Sequence, residues 1–184
     1  MTAPPSEPAF PPGDLRRIIL HWTAGDYGTV YRSYHICIAL AGDQGPVALV
    51  THDLRANMRD VRQGAIGYAA HTSGRNSYAI GLAICAMRDA TPQDFGSFPL
   101  RPEAIDLCCA TAARLAAFYA IPVDPEHVAT HAECALADGY FGCSDDQRWD
   151  IARLAPSPEP LDPDDARRTG DVLRAMIRAC QRES

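Results

Sequence analysis

Lysine is missing from this 184-residue chain, so all 17 of its basic residues are arginines. Arginine stays protonated in proteins, so any role that needs a cation falls to a group that cannot act as a general base. Acidic residues number 23, the formal net charge is −6, and no basic stripe or basic tail is present. These features argue against nucleic acid and against an anionic membrane as partners.

Long apolar runs and a secretory signal are absent as well. No run approaches the roughly twenty apolar residues that a membrane span needs. The first twelve residues are rich in proline and have neither a basic start nor an apolar block. We therefore expect synthesis in the cytoplasm without a signal peptide, so that any export needs another route.

Cysteine pairs of the Cys-x-x-Cys type are also lacking. The seven cysteines are odd in number and scattered along the chain. This pattern favours reduced thiols in a cytoplasmic protein, most of them acting as small core residues. A glycine-rich phosphate loop and internal repeats are absent too.

The chain does contain enough apolar sequence, 47% of its residues, to form one soluble domain. Short apolar runs bounded by turn residues predict five strands. These strands fall within 16–25, 34–40, 46–50, 77–85 and 128–131. The second and third are expected to form a hairpin through the turn at 42–45. We interpret 51–72 as a loop with one helical turn and 134–147 as an irregular loop.

Two helices are predicted from apolar positions that recur every three or four residues. The first covers 101–119, with Pro102 at a tolerated first-turn position. The second begins after Asp162 as N-cap, with Pro163 just inside, and is expected to pack on the back of the domain. Because strands and helices alternate, the predicted fold class is α/β, a single domain with a mixed central β-sheet flanked by helices.

Two of the apolar runs end in a histidine, and a third segment places an aspartate among apolar neighbours. His21 ends the first run, His131 ends the last, and Asp150 follows Arg148 and Trp149. Two histidines and a carboxylate on separate elements are what a catalytic zinc site takes, with its fourth position left for water. For each histidine alone, a core position at the end of a strand is the simpler interpretation.

Five short motifs follow one another along the chain. They are His21-Trp22-Thr23-Ala24-Gly25, Tyr34-His35, Ala70-His71-Thr72-Ser73-Gly74 with Ile80-Gly81, Thr130-His131-Ala132-Glu133, and Arg148-Trp149-Asp150-Ile151. In this order they resemble the zinc-dependent N-acetylmuramoyl-L-alanine amidases, the type 2 amidase family of phage endolysins, bacterial wall amidases and peptidoglycan recognition proteins. The resemblance covers about 18–154, and the last two motifs look most like phage endolysins.

With this resemblance, the chain divides into three predicted parts. An amidase domain covers 16–154 and is preceded by a flexible segment at 1–15. The proline-rich linker and the C-terminal helix, packed on the domain, make up 155–184.

The resemblance implies that a zinc ion is held by His21, His131 and a third ligand. Asp150 matches the third ligand because it lies two residues after Arg148, where relatives carry a lysine ahead of an acidic ligand. Cys143 is the alternative, since a thiolate is an excellent zinc ligand and some relatives use cysteine.

Further roles are implied by matches to family positions. Tyr34 matches a tyrosine that lies over the metal and hydrogen-bonds the reacting centre. Arg148 stands where relatives carry lysine and would stabilise the oxyanion formed when the amide is attacked. Trp22, His71 and Asn76 are expected to bind substrate.

The general base is left open by the sequence. Many bacterial members of the family carry a glutamate after the Ile-Gly pair, whereas the stretch that follows Ile80-Gly81 here contains no acid. Glu133 and Asp150 are the two candidates to replace it.

The activity that the resemblance implies is hydrolysis of the amide between N-acetylmuramic acid and L-alanine, by a monomer whose partner is peptidoglycan or a muropeptide. The expected setting is a phage or prophage endolysin that reaches the wall by another route, with an antibacterial effector and a wall-recycling enzyme as alternatives. Competing functions are peptidoglycan binding without cleavage and a zinc nucleobase deaminase. His131-Ala132-Glu133 fits the deaminase, but the required Pro-Cys-x-x-Cys is missing.

Overall fold

The chain folds around one mixed β-sheet in a computed structural model that describes residues 10–40, 42, 45–62 and 65–183. Within these residues there are five strands and three α-helices. The strands are β1 (Arg17–Trp22), β2 (Ile36–Leu40), β3 (Pro46–Val50), β4 (Ala79–Ile84) and β5 (Val128–Thr130). The helices are α1 (Pro102–Phe118), α2 (His131–Asp138) and α3 (Pro163–Glu183).

The strand order across the sheet is β3-β2-β4-β1-β5. β1 runs parallel to β4 and β5, β2 runs parallel to β4, and β3 is antiparallel to β2. β1 and β4 lie inside the sheet and are almost entirely buried. Their sequences are therefore continuous apolar runs rather than alternating patterns. The predicted α/β class with a mixed central sheet is confirmed.

The predicted hairpin is confirmed by the antiparallel pairing of Ile36–Leu40 with Pro46–Val50. Its predicted turn lies partly outside the described residues, which omit 41, 43 and 44. In the predicted loop that follows, a 3-10 turn spans Leu54–Asn57, with Asp53 as its N-cap.

The helices α1 and α3 confirm the two predicted helices. α1 begins at Pro102, where the missing N–H has no helical partner to lose. α3 is preceded by Asp162, whose carboxylate accepts the Asp164 N–H at 2.7 Å, as an N-cap residue does. α3 packs against α1, α2 and β5. None of the helices in the described residues is long and apolar enough to cross a membrane.

The segment predicted to be flexible, 1–15, lies outside the described residues over its first nine positions. Phe10 packs edge to face on Phe118, with ring centroids 5.7 Å apart. The Tyr119 hydroxyl donates to the Pro11 carbonyl at 2.7 Å. This part of the segment therefore lies against the end of α1, while the domain boundaries stay a prediction.

The prediction of an irregular loop over 134–147 is wrong in its first part, because α2 begins at His131 and covers eight residues. The Thr130 side chain accepts the Glu133 N–H at 3.1 Å, and Glu133 Oε2 accepts the Thr130 N–H at 2.9 Å. This reciprocal pair is a capping box, and Gly139 ends the helix in the left-handed conformation. The Thr-x-x-Glu signal was present in the sequence, but eight residues are too few to show a helical period.

Candidate metal centre

Two parallel neighbouring strands bring the two histidines together. His21 lies near the carboxyl end of β1, and His131 follows directly after β5 as the first residue of α2. Because β1 and β5 pair in parallel, their carboxyl ends open at the same edge of the sheet. The two imidazole rings have centroids 4.7 Å apart, and both side chains are buried.

Asp150 reaches the histidines from the loop that follows α2. The loop is fixed to the helix start by the Ala132 N–H, which donates to the Asp150 carbonyl at 3.0 Å. The next residue, Ile151, is buried and has a φ of 58°, an unusual backbone conformation for a β-branched residue. This sharp turn directs the Asp150 carboxylate inward, where 8% of the residue is exposed.

The three side chains have the spacing of metal ligands. Asp150 Oδ2 lies 3.1 Å from His131 Nδ1 and 3.5 Å from His21 Nδ1, and one potential ligand atom from each residue lies within 4.8 Å of the others. Ligands at zinc distances of about 2.1 Å in a tetrahedron are about 3.4 Å apart. The observed separations are therefore close to those of a tetrahedral zinc site.

One buried atom supports this interpretation independently. His21 Nδ1 is buried and makes no hydrogen bond with any residue that the structure describes, since Asp150 at 3.5 Å lies at the limit of that interaction. A buried polar atom without a partner costs free energy, and a bound metal would satisfy it. Two imidazoles and one carboxylate also form a donor set that suits zinc with one open position.

The protonation states of two of these groups suit a metal. Burial lowers the pKa of His21 to about 4, an effect that the nearby Asp150 only partly opposes. Burial works against ionisation of Asp150, but the hydrogen bond with His131 and the nearness of His21 outweigh it and hold the pKa of this carboxyl below its usual range. At neutral pH, His21 is thus neutral and Asp150 is ionised, as metal ligands must be.

Cys143, the alternative third ligand, is exposed and does not belong to the group. Its side chain lines the cavity beside the centre together with Asp150. Burial raises the pKa of the Cys143 thiol, with Arg153 opposing the shift. The geometry therefore favours Asp150 over Cys143 as third ligand.

Two adjoining cavities open at the centre, with volumes of about 490 Å³ and about 630 Å³. Ala70, His71, His131 and Arg148 line both. These volumes lie in the range of small-molecule sites. The residues that line only the first include Trp22, Tyr34 and Trp149, and those that line only the second include Tyr68, Asn76 and Tyr140.

Tyr34 lies beside His21, with ring centroids 5.0 Å apart. Its hydroxyl donates to the Trp22 carbonyl at 3.2 Å. Burial, followed by the charge of Asp150, raises the pKa of Tyr34 well above its usual value. The hydroxyl therefore stays protonated and can serve as a hydrogen-bond donor at the mouth of the centre.

Arg148 is exposed and its guanidinium donates to two nearby carbonyls, those of Asp145 at 2.9 Å and Gln147 at 2.5 Å. Its backbone is fixed from both sides, since the Arg148 N–H donates to the Tyr140 carbonyl and its carbonyl accepts the Gly142 N–H. Arg148 thus lines both cavities while its guanidinium is anchored to its own loop.

The three predicted substrate-binding residues all line the cavities, and their roles stay predictions. Trp22 is 5% exposed and packs edge to face on Trp149, with centroids 4.5 Å apart. His71 lies next to His21, with ring centroids 5.2 Å apart. The Asn76 side chain accepts the backbone N–H of His71.

Glu133 is not available as a general base, which corrects one of the two candidates from the sequence. Its carboxylate completes the capping box with Thr130 and pairs with the buried Arg174 at 2.8 and 3.0 Å. The same contacts remove the proton-shuttling glutamate that a nucleobase deaminase needs.

Tyr140 is a further residue beside the centre, and the sequence does not single it out. Its hydroxyl is buried and has no hydrogen-bond partner within the described part of the chain, and its ring centroid lies 6.0 Å from that of His131. Tyr140 lines the larger cavity. It follows a glycine in an irregular loop, where no spacing or composition distinguishes it from a surface tyrosine.

The fold and the site define a class: a mixed α/β domain with a candidate mononuclear metal centre of two histidines and one aspartate at the carboxyl ends of parallel strands, beside a cleft. No family model matches the chain, and no curated protein matches it.

Among solved structures the chain is similar to AmpDh3 from Pseudomonas aeruginosa, with 21% identity over 72% of this chain and 57% of that one and a TM-score of 0.43. It is also similar to the N-acetylmuramyl-L-alanine amidase AmiD from E. coli, with 20% identity over 69% and 51% and a TM-score of 0.43. AmiD was solved with its substrate anhydro-N-acetylmuramic acid-L-Ala-D-γ-Glu-L-Lys. The chain spans little more than half the length of either protein, and a likeness of this size does not carry a function to it.

Proposed function

We propose that this chain is a zinc-dependent hydrolase that cleaves the amide between N-acetylmuramic acid and L-alanine in peptidoglycan. The observation that carries the proposal is the group of His21, His131 and Asp150, whose potential ligand atoms lie within 4.8 Å of one another at the edge of a cleft. The order of the five sequence motifs supports the amidase substrate in particular.

A zinc ion held by these residues would polarise the scissile carbonyl and supply a water nucleophile near neutral pH. His21 and His131 direct their Nδ1 atoms at the site, and Asp150 adds one negative charge. Both histidine contacts of Asp150 are made by Oδ2, which leaves Oδ1 as the atom proposed to accept a proton.

Two other side chains are proposed to act on the amide oxygen. The Tyr34 hydroxyl stays protonated beside His21 and would exchange its bond to the Trp22 carbonyl for one to the developing oxyanion. Arg148, which lines both cavities, would add a positive charge to the same oxyanion. Donors directed at the charge that forms in the transition state are the usual means of lowering this barrier.

The setting proposed is that of a phage or prophage endolysin. It would be released to the cell wall and act there as a monomer. An antibacterial effector or a wall-recycling enzyme would use the same chemistry.

The test is metal analysis of the purified protein together with mass analysis of peptidoglycan digested by it. We expect about one zinc per chain and release of stem peptides that begin with a free L-alanine amine. His131→Ala serves as the control and should yield neither. Cleavage of another bond would contradict the substrate. If the protein binds both zinc and peptidoglycan but cleaves nothing, it would be a non-catalytic binding protein. The lack of an acidic residue on β4 is consistent with that alternative.

A further inference from the structure

The ring nitrogen of His21 that points away from the proposed metal lies close to two polar side chains. His21 Nε2 is 3.2 Å from His71 Nδ1 and 3.3 Å from Thr72 Oγ1. These two acceptors are themselves 3.0 Å apart. All three side chains are buried, so water does not compete for these contacts.

The tautomer of His21 depends on this environment. A neutral imidazole that gives the Nδ1 lone pair to a metal must carry its proton on Nε2. That proton needs an acceptor, and His71 Nδ1 and Thr72 Oγ1 are the polar atoms within reach. Such partners fix both the tautomer and the ring orientation of metal-binding histidines.

The backbone that carries His71 and Thr72 is fixed by one side chain. Asn76 Oδ1 accepts the His71 N–H at 3.0 Å and the Thr72 N–H at 2.9 Å. The Asn76 carbonyl accepts a hydrogen bond from Asn57 Nδ2 at 2.9 Å. Asn76 thus closes the loop from 71 to 76 into a rigid turn.

Gly81 of β4 leaves the space that the His71 ring occupies. A Cβ atom at this position would lie 2.6 Å from two atoms of the ring, far closer than van der Waals contact allows. The Gly81 N–H donates to His35 Nδ1 at 3.0 Å, so the strand cannot easily move away. Any side chain at 81 would push His71 from His21.

We propose that His71 and Thr72, placed by Gly81 and Asn76, are positioning residues that fix the tautomer and orientation of His21. The inference rests on the proposed metal function of the site. It gives the motif from Ala70 to Gly81 a role in metal affinity, whereas the sequence suggested that His71 and Asn76 bind substrate.

The test is the zinc affinity of the purified full chain, measured by competition with a chromogenic chelator. Loss of a partner behind a ligand typically weakens metal binding by about 10-fold to 100-fold. We expect a loss of this size for His71→Ala and Gly81→Ala, and a smaller loss for Thr72→Val. His71→Gln, which keeps a side-chain acceptor, should recover part of the affinity. Gly28→Ala is the matched glycine control, since only one atom lies within 4 Å of its added Cβ, at 3.8 Å.

A double variant separates positioning from general damage. If Gly81 acts through His71, Gly81→Ala should cost no further affinity in a His71→Ala background. Thermal unfolding of the metal-free variants gives the structural readout, and the order of their melting temperatures should not follow the order of their zinc affinities. If Gly81→Ala does not fold, His71→Ala and His71→Gln still decide the matter.

The outcomes are distinguishable from failure of the proposed function. A wild-type chain that does not bind zinc would overturn the metal function itself. A wild-type chain that binds zinc tightly, with His71→Ala and Gly81→Ala at the same affinity, would leave the function intact and refute the positioning role.

Discussion

The two proposed histidine ligands are held by different parts of the molecule. His21 is on a strand that pairs on both sides, with β4 and β5, so the sheet fixes its main chain. His131 is the first residue of a short helix, and its main chain depends on how that helix begins. The first ligand therefore needs only side-chain orientation, whereas the second also needs a stable helix start.

The helix start at His131 is held from α3. Arg174, 3% exposed, donates to both oxygens of Glu133 and to the Val128 carbonyl. Gly170 on the same helix leaves room for the Glu133 carboxylate, since a Cβ there would lie 2.2 Å from one of its oxygens. The capping box of α2 is thus completed by a charge from a helix far along the chain.

The largest expected effect comes from removing either histidine. His21→Ala and His131→Ala should each abolish stoichiometric zinc binding and reduce amidase activity to background, because two remaining ligands hold zinc poorly. Metal analysis and a muropeptide assay on the same preparations measure both. Retention of stoichiometric zinc in both variants would show that neither histidine is a zinc ligand.

The third ligand is tested by a pair of variants. Asp150→Ala should lose zinc and activity together, since the carboxylate completes the site. Cys143→Ser should keep its zinc and most of its activity, because Cys143 is exposed and lies outside the group. The reverse pattern, measured by the same two assays, would assign the ligand to Cys143.

Arg174→Met should remove the contacts with Glu133 that stabilise the helix start at His131. It should leave the sheet that holds His21 unchanged. Glu133 is partly buried, so leaving its carboxylate without Arg174 should cost up to about 3 kcal/mol, the lower end of the range for a broken buried pair. The loss is measured as a fall in unfolding free energy in urea, and zinc affinity should fall with it. Arg178→Met is the control on the same helix, since Arg178 is exposed and donates to a carbonyl at the surface. Glu133→Gln combined with Arg174→Met should cost less than Arg174→Met alone, because no charge is left unpaired. Equal costs for the Arg174 and Arg178 variants would mean that α3 does not support the site.

Acidic pH should destabilise the metal-free protein through its buried histidines. The folded pKa of His21 and of His35 is lowered by burial from 6.5 to about 4, so the unfolded chain binds more protons between these values. The free energy of unfolding therefore falls as the pH drops from 6.5 to 4, by up to about 3 kcal/mol for each histidine. Urea unfolding at a series of pH values, with chelator present, measures it. An unfolding free energy that stays constant down to pH 5 would contradict the assignment of buried neutral histidines.

Arg148 belongs neither to the sheet that fixes His21 nor to the helix start that holds His131. Its replacement should therefore leave the zinc bound. Arg148→Ala should lower kcat by about a hundredfold, the scale for one oxyanion donor, with zinc content unchanged. Arg148→Lys should recover part of the loss, since the charge is kept while the planar fork is not. Near-normal turnover of Arg148→Ala on a defined muropeptide would make Arg148 a surface residue without a catalytic role.

Local patterns in the sequence were enough for the main features of the fold. The strand that carries His21 and the strand that leads to His131 are apolar runs with clear ends, and the helix after Pro102 has a clear period. The family resemblance, together with the two runs that end in histidine, predicted His21, His131 and either Asp150 or Cys143 as one group, and the structure brings the first three together. The start of α2 was missed because eight residues carry too little periodicity, although Thr130 and Glu133 gave a local signal.

Other features of the site depend on contacts between distant positions, which a single sequence does not show. Arg174 reaches Glu133 across 41 positions. His71 contacts His21 across 50 positions. Gly81 matters only because the His71 ring fills the space beside it. The sequence makes Glu133 a candidate base and places the last helix on the back of the domain. The contact between Arg174 and Glu133 rules out the first interpretation and connects that helix to the site.

The position of α3 along the chain has a consequence for the order of folding. All three proposed ligands precede this helix, yet α3 supports two of the segments that carry them: Arg174 bonds to Glu133, and Thr169 Oγ1 donates to the Ala152 carbonyl at 2.8 Å. Domains form from the N-terminal side during synthesis. A growing chain that has already exposed His21, His131 and Asp150 therefore still lacks the helix that holds two of them in place. Capture of the metal is expected to follow the docking of α3, as a late event in the maturation of the protein.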